Sequence, residues 1–214
     1  MHATDSMARA KRIRAVGVSQ HIVHRGNDRM AIFRSDCDYG VLLSLLHVAS
    51  TRYQTDIHGY ALMRNHFHVL ATPNTSTGLE RTIHLAACQY AGYFNRRYSR
   101  TGTLFEGRYR SSVVDDERYW ITCLRYIELN PVRAGLVSTP DEYRWSSHRA
   151  NALGAEDRLL KPNPYYLDLG GTAGERRQTW QRMCTDVSST EELDWMRFAA
   201  LEDRLSRIQS TTGT

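Results

Sequence analysis

The chain has 214 residues, of which 41% are hydrophobic and 24% are charged, which suits one folded domain with an appendage. Its formal net charge of +5 favours a polyanionic partner. No apolar run reaches the roughly 18 residues of a membrane span, the basic N-terminus lacks the apolar stretch of a signal peptide, and the four cysteines stand singly, unlike those of a zinc ribbon or a disulfide framework. We therefore expect a cytoplasmic protein.

The first half of the chain contains three strand patterns and one helix pattern. Residues 16–24 (VGVSQHIVH) form a strand pattern that turn residues end. A helix follows, with a capping side chain at residues 35–36. Two more strands are predicted over residues 57–63 and 66–72. The apolar face of the helix, at helical spacing, is expected to contain Tyr39, Leu42, Leu43, Leu46 and Ala49.

The second half continues with two helices and one strand. A side chain at residues 76–77 caps the second helix, and residues 108–114 form a fourth strand pattern. A side chain at residues 115–116 caps the third helix, which we expect to end at Pro131. The inner stripes are Leu79, Ile83, Ala86, Ala87, Tyr90 and Phe94 in the second helix, and Tyr119, Trp120, Cys123, Leu124 and Ile127 in the third.

The order of these elements is βαββαβ followed by a helix. It predicts an α+β fold of the ferredoxin-like type, in which helices lie on one face of an antiparallel sheet and the other face is open to a nucleic acid or a metal. We assign this domain to residues 1–150 and expect a linker with a small helical tail over residues 151–214. The linker segments are 161–166 and 170–174, and the helical segments are 176–184 and 191–208.

The sharpest local motif is His66-Phe67-His68. Because side chains alternate along a strand, both histidines face one side of the sheet and Phe67 faces the other. Two imidazoles one residue apart on one face can share a divalent cation. They can equally be ordinary surface histidines, because so short a motif often occurs by chance.

Tyr126 and Asn130 form a second candidate pair. They are four residues apart, so they lie on one face of the third helix, one turn from each other. At the edge of the buried stripe, the tyrosine can present its hydroxyl to the sheet and the asparagine can supply an oxygen ligand to the same metal. Alternatively, Tyr126 packs its ring at the core boundary, and Asn130 only precedes the expected helix end.

Basic side chains are concentrated in two clusters. The first consists of Arg9, Lys11, Arg12 and Arg14, and the second of Arg96, Arg97, Arg100, Arg108 and Arg110, interleaved with Tyr98, Phe105 and Tyr109. Basic side chains mixed with aromatic ones fit single-stranded nucleic acid, whose phosphates and unstacked bases both need partners. A solvated surface is the alternative for both clusters.

Several longer motifs resemble the HUH single-tyrosine transposases and, more narrowly, the REP-associated tyrosine transposases of bacteria. The motifs are HRGNDR (24–29), YALMRNHFHVLATP (60–73), YFNRRYSRTGTLFEGRYRS (93–111), RYIELNPVRAGLV (125–137) and DEYRWSSHRA (141–150). The resemblance covers about residues 9–164, in the family's order. Phe105 stands where tryptophan is expected, and the residues after about 170 match weakly.

The resemblance implies the ferredoxin-like fold and a role for each site residue. Tyr126 occupies the position of the nucleophile, His66 and His68 occupy those of ligands to Mg²⁺ or Mn²⁺, and Asn130 stands where related enzymes place a third polar ligand. The activity implied is a metal-dependent single-stranded DNA endonuclease and strand transferase. It would act on hairpin-forming repeated extragenic palindromes through a 5′-phosphotyrosine, near the nucleoid, as a monomer or homodimer.

DNA binding is expected to involve a further set of residues. They are Arg25, Asn27, Arg96, Arg97, Arg108, Arg110 and Arg133. Arg25 and Asn27, at the end of the first strand, can contact bases or phosphate. Arg133 can clamp phosphate or cap the carbonyls of its helix. Since phosphate takes most protein–DNA contacts, we expect the arginines to bind phosphate rather than base edges.

Two other classes of protein remain open. A non-catalytic module that binds single-stranded nucleic acid would have the same basic surface, and Tyr126 would be expendable. A metal-dependent phosphodiesterase that uses water would form no covalent intermediate. A histidine-triad hydrolase is disfavoured, because Leu70 stands where a third alternating histidine is expected.

Overall fold

The computed structural model of the chain describes residues 15–185, which contain four β-strands and six α-helices. The first basic cluster, Arg9 to Arg14, and the helix predicted at 191–208 lie outside the described residues. Within the described part of the chain, no helix has both the length and the apolar character that crossing a membrane requires.

Four strands form one antiparallel sheet. They are β1 (Ser19–Arg25), β2 (Thr55–Met63), β3 (His66–Pro73) and β4 (Arg110–Val114), in the spatial order β2-β3-β1-β4. Every neighbouring pair is antiparallel, as in a ferredoxin-like sheet, so the predicted α+β fold is confirmed. The histidine motif lies on β3, one of the two inner strands. β4 begins two residues later than predicted, which leaves Arg108 in the preceding loop.

Helices α1 (Asp36–Arg52) and α2 (Gly78–Arg97) pack side by side on one face of the sheet. A capping box begins α1, in which the backbone N–H of Ser35 donates to the Asp38 carboxylate at 3.0 Å. All the residues predicted for the inner stripe of α2 are buried. They belong to one core cluster with Phe67 of the sheet, which confirms the predicted orientation of the helix.

Helix α3 (Glu117–Arg133) covers the opposite face of the sheet, which the sequence predicts to be open. Leu124 and Ile127 of its buried stripe belong to a second core cluster with Leu70 of β3. Gly59 of β2 permits the close approach, because a Cβ at that position would overlap the Leu124 side chain. The sheet is therefore enclosed between two helical layers, and α3 can bring side chains to the histidines.

Contrary to the prediction, α3 continues past Pro131. The proline lies inside the last turn, where its fixed φ suits a helix and its missing N–H removes only one hydrogen bond. The final turn is closed by the backbone N–H of Ala134, which donates to the Asn130 carbonyl at 2.9 Å. The helix therefore reaches Arg133, and this arginine is held on the same rigid element as Tyr126.

Three further helices follow: α4 (His148–Leu153), α5 (Pro164–Leu167) and α6 (Ala173–Thr185). They pack against α3 or against one another, and α6 agrees with the helix predicted at 176–184. Trp180 of α6 is 0% exposed and contacts the ring of Tyr166 of α5. Trp180 is therefore part of the core cluster that α3 forms, and Tyr166 is partly buried against it. The domain boundary at residue 150 stays a prediction.

Candidate active site

β3 presents His66 and His68 on the face of the sheet that α3 covers. Phe67 lies between them, is 1% exposed and packs in the core on the opposite face. The side chains of the motif therefore alternate between the two faces of the sheet, as predicted for a strand. The centroids of the two imidazole rings are 5.0 Å apart, close enough for one ligand to contact both.

A third histidine, His21 of β1, joins this pair, although the sequence pattern does not single it out. Val23 is opposite His68 in the register of β1 against β3, so alternate residues of β1 share the face of His68. His21 Nε2 and His68 Nδ1 are 2.9 Å apart, and the two rings are nearly parallel, with an interplanar angle of 15°. The alternation of side chains along β1 predicts which of its residues share a face. It does not predict that His21 lies beside His68, because the register between strands is a tertiary property that local sequence does not reveal.

The ring nitrogens of the two motif histidines have unequal surroundings. His66 Nδ1 lies 2.7 Å from the side-chain oxygen of Asn65. Because this oxygen can only accept, His66 Nδ1 carries the hydrogen and Nε2 has the lone pair. His68 Nε2 is buried and has no hydrogen-bond partner among the residues that the structure describes. Buried polar atoms are normally paired, and a divalent cation is a partner that an imidazole lone pair can take.

All three histidines are neutral near pH 7. Burial, together with the positive charge of Arg25, lowers the pKa of His66 to about 4. Burial lowers the pKa of His21 to about 4. Burial and the neighbouring His21, His66 and Arg25 hold the pKa of His68 well below its usual range. Neutral imidazole is the form that binds metals, so a cation would displace no proton from these rings.

Tyr126 projects from α3 toward the histidines. Its ring centroid lies 5.8 Å from that of His68 and 6.1 Å from that of His21, both edge-on. Asn130 and Arg133 follow four and seven residues later, so they share this flank of the helix. Asn130 Nδ2 donates to the Tyr126 carbonyl at 3.4 Å, and the guanidinium carbon of Arg133 lies 5.0 Å from the centre of the Tyr126 ring. The structure thus gathers the predicted tyrosine, both motif histidines and Arg133, with Asn130 one turn along α3.

The opposite flank of α3 is anchored by Glu128, a fully buried carboxylate that the sequence pattern also does not single out. Residues two apart lie about 200° from each other around a helix, so Glu128 faces away from Tyr126. Its oxygens accept hydrogen bonds from Ser147 Oγ (2.6 Å), Asn151 Nδ2 (2.7 Å), Trp180 Nε1 (2.8 Å) and His148 Nδ1 (3.1 Å). This network ties α3 to α4 and α6 and thereby holds Tyr126 in place.

The same network contains a cluster of metal-ligating residue types. Glu128, His148 and Cys184 place their ligand atoms within 4.8 Å of one another, and all three are buried. The carboxylate, however, already accepts four hydrogen bonds, so a cation would have to displace donors that hold three helices together. We interpret this cluster as an anchor of α3 and keep the metal assignment with the histidine motif.

Three of the arginines predicted to bind DNA line a cavity of about 230 Å³ on the histidine side. They are Arg25, Arg108 and Arg110, with Val23 and Glu106 completing the wall. Arg25 is opposite His66 in the register of β1 against β3, and Arg110 is opposite Val23 in that of β1 against β4. The cavity therefore adjoins the histidines, and its guanidinium groups suit an anionic group such as phosphate.

Apart from Arg133, the other residues predicted to bind DNA lie elsewhere. Arg96 and Arg97 are at the end of α2, in the helical layer on the opposite face of the sheet. Arg97 Nε lies 3.7 Å from Asp38 Oδ1, on a buried carboxylate at the start of α1. Asn27 is exposed in the short helical turn that follows β1. The predicted set is thus divided between the two faces, with Arg96 and Arg97 away from the histidines.

Comparisons with known proteins identify the family and the fold of the chain. The model of a protein family described as Transposase IS200 like matches residues 15–130, more than half of the chain. Among solved structures, the chain is similar to that of a REP-associated tyrosine transposase bound to a REP hairpin, with 16% identity and a TM-score of 0.55, over 73% of this chain and 93% of that chain. At so low an identity, the likeness shows the shared fold alone. A search of the curated proteins found no match.

Proposed function

Because the chain belongs to the family of IS200-like transposases, we propose that it is a metal-dependent single-stranded DNA endonuclease and strand transferase. One observation carries the proposal: the Tyr126 ring lies beside His68, whose buried Nε2 has no hydrogen-bond partner within residues 15–185. A nucleophilic side chain next to metal ligands suits transfer of a phosphoryl group to the protein. The solved structure with the same fold holds a REP hairpin, which supports hairpins of repeated extragenic palindromes as substrates.

We assign the metal site to His66, His68 and Asn130, with Mg²⁺ or Mn²⁺ as the cation. Two neutral imidazoles suit Mn²⁺, whereas Mg²⁺ prefers oxygen ligands. The amide nitrogen of Asn130 is engaged with the Tyr126 carbonyl, so the amide oxygen is its remaining ligand atom. When bound, the cation supplies Lewis acidity that makes the phosphorus of the scissile phosphate more electrophilic.

Tyr126 supplies the nucleophile. Its phenol oxygen loses its proton to a base and attacks the phosphorus in line, the bond from phosphorus to the 3′ oxygen breaks, and that oxygen takes up a proton to leave as a 3′-hydroxyl. The resulting 5′-phosphotyrosine conserves the energy of the phosphodiester bond. A second 3′-hydroxyl can therefore attack it and rejoin strands without ATP. Arg133, over the Tyr126 ring, places a positive charge near the transferred phosphate.

The arginine cavity beside His66 extends this site. We propose that Arg25, Arg108 and Arg110 bind a backbone phosphate of the strand that reaches Tyr126, because guanidinium groups converge there on the histidine side. Contacts of Asn27, Arg96 and Arg97 with other parts of the hairpin stay predictions. Their exposure is compatible with DNA binding, but their positions do not connect them to the histidines.

The test uses the full chain, a labelled single-stranded hairpin from extragenic palindromes near its own gene, and Mn²⁺ or Mg²⁺. On a denaturing gel, the wild-type protein is expected to form a covalent protein–DNA adduct that requires the metal. Tyr126→Phe and His66→Ala are expected to lose the adduct. Tyr165→Phe is the matched control, because it removes a phenol hydroxyl from a ring that packs on Trp120 of the same helix, and it is expected to retain the adduct.

Each alternative activity has its own outcome in this experiment. Cleavage without an adduct that persists in Tyr126→Phe would identify a phosphodiesterase that uses water. Binding without cleavage, with the native hairpin among those tried, would identify a non-catalytic nucleic-acid-binding module. Adduct formation that persists in His66→Ala would remove the metal site from the mechanism while leaving the nucleophile in place.

A further inference from the structure

We propose that His21 is a positioning residue that accepts the Nδ1 hydrogen of His68 and thereby sets the tautomer and the orientation in which His68 binds the metal. The inference rests on the proposed function, because His68 is a metal ligand only under that proposal. It adds a residue that neither the sequence motifs nor the mechanism above uses.

Contacts on two sides hold the ring of His21. On β1 it is opposite Leu70, so it lies on the face of the sheet that α3 covers. Its ring lies nearly parallel to that of His68 at a centroid separation of 5.2 Å and meets the ring of Tyr126 edge-on. A side chain in this position touches both the proposed ligand and the proposed nucleophile, so its orientation affects the positions of both.

The 2.9 Å contact between His21 Nε2 and His68 Nδ1 can contain only one hydrogen when both rings are neutral. If His21 provides the hydrogen, neutral His68 has its own on Nε2. That arrangement blocks metal binding and leaves a buried N–H without an acceptor in the described structure. If His68 provides it, His68 Nε2 has a lone pair that a cation can take. Only the second arrangement satisfies both ring nitrogens of His68 once a metal is present.

His66 shows the same arrangement with a different partner. Its Nδ1 donates to the side-chain oxygen of Asn65 at 2.7 Å, which leaves Nε2 available. Metal-binding histidines almost always donate their second ring N–H to such an acceptor, which orients the ring. Asn65 and His21 therefore occupy equivalent places behind the two ligands, and His21 is the acceptor supplied by the neighbouring strand.

Two variants distinguish the effect of the hydrogen-bond acceptor of His21 from the effect of its ring. His21→Phe keeps an aromatic ring beside His68 but removes the acceptor, and His21→Gln restores an oxygen acceptor at a similar reach from the backbone. The affinity of the DNA-free protein for Mn²⁺ is measured by electron paramagnetic resonance. His21→Phe is expected to weaken it by about 10–100-fold, and His21→Gln to recover most of the loss. His47→Phe, on the exposed face of α1, is expected to bind Mn²⁺ as the wild type does.

The ¹⁵N resonances of the ring nitrogens in the metal-free wild-type protein provide a direct readout. The hydrogen of His68 is expected on Nδ1, and its presence on Nε2 would overturn the proposal even if His21→Phe failed to fold. Equal losses of Mn²⁺ affinity in His21→Phe and His21→Gln would also overturn it, because they indicate packing alone. So would an unchanged affinity in His21→Phe.

Failure of the proposed function gives a different result. A wild-type protein that binds no Mn²⁺, or a His66→Ala variant that binds it as tightly as the wild type, would remove the metal site itself. The tautomer of His68 in the metal-free protein would still decide whether His21 is its acceptor.

Discussion

The ring of Tyr126 is contacted from two directions before any DNA is bound. His21 and His68 meet it edge-on, and the Arg133 guanidinium lies 5.0 Å from its centre. A nucleophile that is already held in place loses little rotational freedom when the substrate arrives. Arg133 also places its charge beside the ring whose oxygen we propose as the acceptor of the phosphate, so we expect it to act in the transfer step and not only in DNA binding.

Replacing Arg133 with methionine tests this expectation. Arg133→Met keeps most of the length of the side chain but removes its charge, and we expect adduct formation at saturating hairpin to slow by about tenfold, equivalent to about 1.4 kcal/mol in the barrier. Because Arg133 is exposed, the unfolding temperature should stay close to that of the wild type. Arg144→Met is the control, since that exposed arginine lies 4.4 Å from the centre of the Trp145 ring. Equal single-turnover rates in the wild type and Arg133→Met would show that the contact is incidental.

The lowered pKa values of the site histidines make the stability of the protein depend on pH. Burial, with Arg25 contributing at His66, lowers the pKa values of His21 and His66 from 6.5 to about 4. Between these values the unfolded chain binds more protons than the folded chain, so the free energy of unfolding rises with pH across this window. On acidification from pH 6.5 to 4, we expect a loss of about 1–3 kcal/mol per histidine.

Urea denaturation in the presence of a chelator, at a series of pH values, measures this dependence. His21→Gln removes one of the three histidines whose pKa is lowered and is expected to flatten part of the profile between pH 4 and 6.5. His47→Gln removes an exposed histidine of α1 and is expected to leave the profile unchanged. A free energy of unfolding that does not fall below pH 6.5 would contradict the prediction.

Helix α3 presents the candidate site residues on one flank and is anchored to other helices on the opposite flank. One flank has Tyr126, Asn130 and Arg133, and the other has Glu128 in its network of four donors. The network connects α3 to helices that follow it, so those helices hold the element that presents Tyr126.

Glu128→Gln tests the anchor. The amide would turn an N–H group toward donors such as Trp180 Nε1 and would leave at least one buried donor unpaired, so we expect the free energy of unfolding to fall by about 2–4 kcal/mol. Adduct formation should fall as well, at temperatures where the variant is still folded. Glu117→Gln, in the exposed first turn of α3, is the matched control for chemical denaturation. If Glu128→Gln were as stable as the wild type, Glu128 would not anchor the helix.

The periodic features of these elements could be predicted from the sequence, because helix stripes and strand alternation are local. Local periodicity predicts the inner stripes of α2 and α3. It also predicts that His66 and His68 share one face of β3. The partner of His68 could not be predicted, because His21 and His24 occupy the same strand and only the register decides which of them faces it. His24 instead stacks on Phe105 at 4.1 Å on the other side. Likewise, the anchoring of Glu128 depends on partners 19–52 residues away in the chain.

In the whole molecule, the arginines predicted to bind DNA are divided between the two sides of the sheet. Arg25, Arg108 and Arg110 line the cavity on the histidine side. Arg96 and Arg97 end α2 on the opposite side, where Arg97 is paired with a buried carboxylate. Under the proposed function, a DNA strand that reaches Tyr126 passes the first group, so we expect the two groups to contribute unequally to hairpin binding.

The salt dependence of hairpin binding distinguishes the two groups. In a Tyr126→Phe background, which prevents cleavage, Arg25→Gln, Arg108→Gln and Arg110→Gln are each expected to reduce the slope of log K against log salt by about 0.7, the value for one lost phosphate contact on a single strand. Arg96→Gln is the matched control, because it removes an equally exposed charge from the far layer, and its slope is expected to equal that of the background protein. Fluorescence anisotropy titrations of a labelled hairpin at several salt concentrations give these slopes. An equal loss of slope in Arg96→Gln would mean that the hairpin contacts both layers, and it would contradict a DNA path confined to the histidine side.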